Sequence, residues 1–140
     1  MTESGKNLRA GEALAAAIEA ACRGLVYVSE TDAPVVPFRA EIGSGEPAAA
    51  VIEKLKAEHG GACETVRFDE FFAKLTKDQP WHTPLQTRMV KKYRALKNLL
   101  ISSLDNLAVY KFGRVRREIF VVGTDKRGDL AGVRTRSVET

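Results

Sequence analysis

The chain has 140 residues, 44% hydrophobic and 29% charged, with a formal net charge of +4 at pH 7. This length makes one domain, residues 1–140, with enough apolar mass for a core unsupported by disulfide or metal, and no apolar run reaches membrane-span length. The charge is asymmetric: residues 1–60 carry 6 basic and 9 acidic groups, and residues 61–140 carry 16 and 9.

Residues 1–7 read as a flexible polar N-terminus without the basic start and hydrophobic stretch of a signal peptide, so the expected location is the cytoplasm. Leu8 to Arg23 predicts a first helix, with Ala10, Ala13, Leu14, Ala17, Ile18, Ala21 and Cys22 at helical spacing and Gly24 as its stop. Leu25 to Ser29 is apolar and fits a strand or a continuing turn. Pro34 and Pro37 forbid helix, so Val35 to Ile42 reads as an extended edge strand. Gly43 to Gly45 is a loop, and Pro47 opens a second helix to His59, stopped by Gly60 and Gly61.

Glu64 to Phe68 reads as a short strand. Asp69 is a candidate N-cap for a short helix, Glu70 to Leu75, that buries Phe71 or Phe72. Thr76 to Pro84 forms a loop with one large exposed anchor, Trp81. Leu85 to Leu104 is a long helix with Met89, Leu96, Leu99, Leu100 and Leu104 inward and its lysines outward. Three strands complete the chain as a meander: Ala108 to Phe112, Arg117 to Gly123 and Leu130 to Val138. Ile119 to Val122 is apolar at every position, which makes the middle strand central and covered on both faces. The fold class expected is therefore α/β, a three-layer α/β/α sandwich with a mostly antiparallel mixed sheet.

Leu130, Gly132 and Arg134 alternate with Ala131, Val133 and Thr135 almost to the last residue. A strand that runs this far holds Glu139, the Thr140 hydroxyl and the final carboxylate as an oxygen-rich tip, suited to a metal ion or to arginines. No catalytic constellation accompanies it. His59 and His82 stand apart from any nucleophile, metal-ligand spacing or phosphate loop, so no enzyme is expected. Cys22 and Cys63 lack metal-ligand spacing and read as two buried thiols. Lys91, Lys92, Arg94 and Lys97, with Arg114, Arg116, Arg117, Lys126, Arg127, Arg134 and Arg136, keep a nucleic-acid-binding module as the alternative. Such a module needs exposed rings, and Tyr110, Phe112 and Phe120 are expected to be hidden by the covered central strand.

Gly24-Leu25-Val26-Tyr27-Val28-Ser29-Glu30-Thr31-Asp32-Ala33-Pro34, then Phe71-Phe72, Gln79-Pro80-Trp81, Val109 to Gly113, Phe120 to Gly123 and Val138-Glu139-Thr140 together resemble the nuclease A inhibitor family in order and spacing. The resemblance covers nearly everything after residue 20. It implies a small bacterial-type inhibitor, monomeric and cofactor-free, of a metal-dependent, sugar-non-specific DNA/RNA endonuclease. By the same resemblance, Glu30 pairs with a nuclease arginine, Glu139 and Thr140 enter the active site, and Thr140 faces a divalent metal supplied by the partner. Gln79 and Trp81 anchor the rim, since a Trp in a desolvated pocket is a common hot spot. In charge the chain departs from the acidic family pattern: Gln79 to Arg88 holds no carboxylate, and Arg134 and Arg136 bring positive charge towards the tip.

Overall fold

The computed structural model describes residues 3–41 and 48–140. Ile42, the loop Gly43 to Gly45 and the helix-opening Pro47 lie outside the described residues, as do Met1 and Thr2. Helix α1 (Glu3–Cys22) begins inside the segment read as a flexible N-terminus. It ends where Gly24 takes a φ of 73°, a conformation that glycine adopts without steric cost.

The apolar stretch that followed was open between strand and turn, and it is a strand. β1 (Val26–Val28) pairs antiparallel with β2 (Asp32–Pro34), forming a two-stranded sheet of its own. β3 (Val36–Ala40) is an edge strand, which suits Pro37 because an edge position tolerates a missing N–H. Helix α2 (Ala48–Glu58) is followed by Gly60 and Gly61, both at positive φ. β4 (Cys63–Val66) forms the opposite edge of the sheet.

Helix α3 (Phe68–Leu75) starts earlier than the sequence suggested. Its N-cap is Arg67, which makes no side-chain cap bond, and Asp69 lies in the first turn instead of capping it. Phe68 is buried, so the helix extends backwards to bring that ring into the core. Phe72 is the other buried ring, while Phe71 stays half-buried and stacks on Tyr27 at 5.7 Å between centroids. Helix α4 (Pro84–Ser103) opens with a capping box in which Thr83 and Gln86 satisfy each other's backbone N–H groups. Val90, Tyr93, Leu96 and Leu100 form its buried face, with Met89 and Leu99 at the margin.

The meander is present as expected: β5 (Asp105–Phe112), β6 (Arg116–Thr124) and β7 (Leu130–Val138). The five-stranded sheet runs β3-β7-β6-β5-β4, which places β6 at its centre. Every pairing is antiparallel, so among the described residues the sheet is not mixed.

Apolar side chains of β6 alternate between two clusters. Ile119 and Val121 pack with Ile18, Phe72, Leu96 and Leu100, which come from α1, α3 and α4. Phe120 and Val122 pack with Phe112, Leu130 and the α2 residues Val51, Ile52 and Leu55. Each large side chain buried this way favours folding by about 1.5–3 kcal/mol over exposure, so the sheet is held from both sides. Within it, Gly132 has a φ of 155°, and a Cβ there would lie 1.9 Å from the Val121 carbonyl oxygen. The β6–β7 pairing at this point therefore requires glycine.

Candidate functional site

The loop that closes the β1–β2 hairpin rests on the end of β7. Its own turn is made by Ser29, whose N–H and hydroxyl both donate to the Thr31 carbonyl, at 3.0 and 2.8 Å. The same hydroxyl accepts the Val138 N–H at 3.1 Å, and the Glu30 N–H donates to the Val138 carbonyl at 3.4 Å. Further along, the Thr135 hydroxyl donates to the Pro34 carbonyl at 3.0 Å. Backbone and serine bonds thus align two segments that are far apart in sequence, and the Thr140 hydroxyl donates to the Glu30 carboxylate. Glu30 and Thr140 are both exposed, so acceptor oxygens of this pair face solvent at one end of the molecule. Val28 and Val115, 70% and 48% exposed, flank them with apolar surface.

Glu139 sits differently. Its N–H donates to the Val115 carbonyl at 2.8 Å, and its carboxylate accepts from the Ser137 hydroxyl. Lys111 Nζ and Arg117 Nη1 each approach Glu139 Oε1 at 3.6 Å, while Arg117 Nη2 also meets Glu64 at 3.1 Å. Partial burial would raise the Glu139 pKa, but the serine hydrogen bond and the two cations outweigh it and hold the carboxyl below its ordinary range. Glu139 is therefore hydrogen-bonded and ion-paired within the chain, with its side chain still partly exposed. Lys111, Arg117, Ser137 and Ser29 were missed as site residues. Strand register would have found three of them, because Ser137 lies opposite Arg117 and Lys111 opposite Ile119, all on the face that Glu139 continues.

Trp81 lies in the loop between α3 and α4 and is 73% exposed. A local turn holds it: the Gln79 N–H donates to His82 Nδ1 at 3.3 Å, and the His82 N–H returns to the Gln79 carbonyl at 3.1 Å. Arg94 fastens the loop to α4 through the Thr76 carbonyl and Asp78, both at 3.0 Å. Leu85, in the first turn of α4, is also exposed, at 60%. Among the described residues, the hydrogen bonds and ring contacts of Gln79 and Trp81 stay within this loop and do not reach the Glu30–Thr140 pair.

The histidines have structural surroundings: His59 stacks on Phe112 at 5.7 Å between centroids, and His82 accepts the loop hydrogen bond. Among the described residues, no group of three or more His, Cys, Asp or Glu is gathered to hold a metal ion. No described helix is long and apolar enough to cross a membrane. Phe112 and Phe120 are fully buried, as expected, whereas Tyr110 is only half-buried. One thiol departs from expectation. Cys22 is buried, but Cys63 is exposed because β4 is the sheet edge, and both are free.

The chemistry open to this end of the molecule is that of an acceptor surface. A carboxylate and a hydroxyl, fixed by backbone bonds and bordered by two valines, can receive guanidinium forks or approach a hard cation. A family model described as nuclease A inhibitor-like protein matches residues 12–140. No curated protein matches the chain.

Proposed function

The chain belongs to the nuclease A inhibitor-like family, and on that premise we propose that it inhibits a metal-dependent, sugar-non-specific DNA/RNA endonuclease by occupying its active site. Glu30 takes the place of a substrate phosphate at a nuclease arginine, and Thr140 faces the metal that the nuclease supplies. A nuclease built for phosphate oxygens presents a cation and guanidinium groups, and a carboxylate offers equivalent acceptors without a scissile bond. The hydrogen bond that joins Thr140 to Glu30 supports this reading most directly, since the mechanism needs those two residues at one place.

In this reading Glu139 is the clamp that holds the final residues, and Trp81 with Gln79 gives a second, apolar contact. The protein is a monomeric, cytoplasmic, non-catalytic binder without a cofactor of its own. The two apolar clusters are then the two interlayer cores of a three-layer α/β/α sandwich.

The test is titration of the pure protein into a DNA-cleavage assay with a metal-dependent, sugar-non-specific nuclease from the same cell. Stoichiometric inhibition is expected, weakened at least about 30-fold by Glu30→Ala, by removal of Thr140 and by Trp81→Ala, as for buried interface contacts. Absence of inhibition at micromolar excess would rule the reading out.

A further inference from the structure

Beside the acidic tip lies a groove of the opposite charge. Hairpin residues 31–34 form one wall, and Arg116, Arg117, Glu118 and Arg136 form the other, enclosing about 420 Å³. Strand register fixes where these charges sit. Arg116 lies opposite Val138 and Glu118 opposite Arg136, so Arg116, Glu118 and Arg136 share one sheet face that ends two residues short of Thr140.

Several of the charges are already used. Arg117 belongs to the other face and is held by Glu64 and Glu139. Glu118 lies 3.6 Å from Arg134, whose guanidinium stands 5.1 Å from the centre of the Phe120 ring. Arg116 and Arg136 are exposed and enter no ion pair among the described residues, and Asp32 is the only other charge on the groove wall. Two adjacent guanidinium groups are thus left facing solvent next to a carboxylate tip.

We propose that Arg116 and Arg136 form a second contact patch that receives carboxylates of the partner nuclease, next to the cationic pocket entered by Glu30 and Thr140. The proposal rests on the inhibitor reading and specifies the charge pattern of the partner. Charge complementarity selects the occupant. A nucleic acid is anionic along its whole length, so phosphates drawn to the arginines would be repelled by Glu30 a few residues away. A protein can offer cations to the tip and carboxylates to the flank. Guanidinium groups receive the carboxylates of a protein surface in bidentate geometry.

The experiment uses the full chain, a metal-dependent, sugar-non-specific nuclease, and a fluorescent DNA duplex as a second probe. Wild type, Arg116→Glu/Arg136→Glu and the charge-preserving Arg116→Lys/Arg136→Lys are compared by stopped-flow association with the nuclease at two salt concentrations. Both sites are exposed, so thermal melting should show all three proteins equally folded. Charge reversal is expected to slow association roughly tenfold at low salt and to weaken inhibition, while the lysine pair stays near wild type. Inhibition by wild type with unchanged or faster association of the reversed variant overturns this proposal and leaves the inhibitor reading intact. No inhibition by wild type overturns both. Binding of the duplex by wild type that is lost on charge reversal also overturns the proposal, in favour of a nucleic-acid partner.

Discussion

The Thr140 hydroxyl donates a hydrogen bond to the Glu30 carboxylate across 110 positions of sequence. Residues joined in this way act as a unit, and their substitutions should not be additive. In the inhibition assay, Glu30→Ala and Thr140→Ala are each expected to weaken binding. The double variant should lose less than the two single losses combined, by about 1 kcal/mol or more. Strict additivity would mean that the two side chains contact the nuclease independently.

The clamp on Glu139 has a definite pH signature. Its carboxyl is held below the ordinary range in the folded protein, so the folded state binds that proton less readily than the unfolded chain. The resulting stability is full above the unfolded value of about 4.3 and is lost as pH falls through the lower folded value. Screening at this partly exposed site limits it to about 0.5–1 kcal/mol. Thermal melts of wild type and Glu139→Gln should therefore differ at pH 7 and converge as the pH falls below the ordinary carboxylate range. A difference that widens on acidification would contradict the ion-pair assignment.

Gly132 carries the tightest packing of the sheet. Gly132→Ala places a methyl group against the Val121 carbonyl at a position with positive φ, and is expected to cost at least about 3 kcal/mol. Gly60→Ala is the control: its φ of 82° is also unfavourable, but nothing lies within 4 Å, so about 1–2 kcal/mol is expected. Urea midpoints compare the two. Equal losses would mean that β6 and β7 do not approach this closely.

Thiol labelling distinguishes the cysteines. Burial pushes the Cys22 thiol up to about 11, which removes the reactive thiolate at neutral pH, whereas Cys63 is exposed on an edge strand. Native protein should take up one equivalent of a thiol reagent quickly and the second only on unfolding. Rapid labelling of both would place Cys22 outside the core.

How much was legible in the sequence follows from which forces set each element. β7 was read to the residue, because its alternation and the glycine before it are local signals. The central position of β6 followed from four apolar residues in a row, all of which are buried. The β1–β2 hairpin was only half visible: its strands have three residues each, and its polar loop is held by serine and backbone bonds to β7 that local pattern does not encode. The start of α3 was misplaced because burial of Phe68 outweighed the capping preference of Asp69. In the candidate site, Glu30 and Thr140 were named through the family resemblance, and the fold brings them together. The internal partners of Glu139 were not legible, because its cations come from β5 and β6, which only the sheet register brings alongside.

The two halves of the tip differ in their attachment. Thr140 continues directly from a strand of the five-stranded sheet, whereas Glu30 rides on a two-stranded ladder separate from it. An isolated hairpin of that size is marginal by itself and depends on its tethers, here the bonds from Ser29, Val138, Thr135 and the Tyr93 hydroxyl to Val26 at 2.7 Å. Amide hydrogens of β6 should accordingly exchange only through global unfolding, and those of the hairpin through a cheaper local opening. A binding surface of this kind has one fixed jaw and one compliant jaw, and a tight partner would be recognised by the slowing of exchange in the hairpin while the sheet remains unchanged.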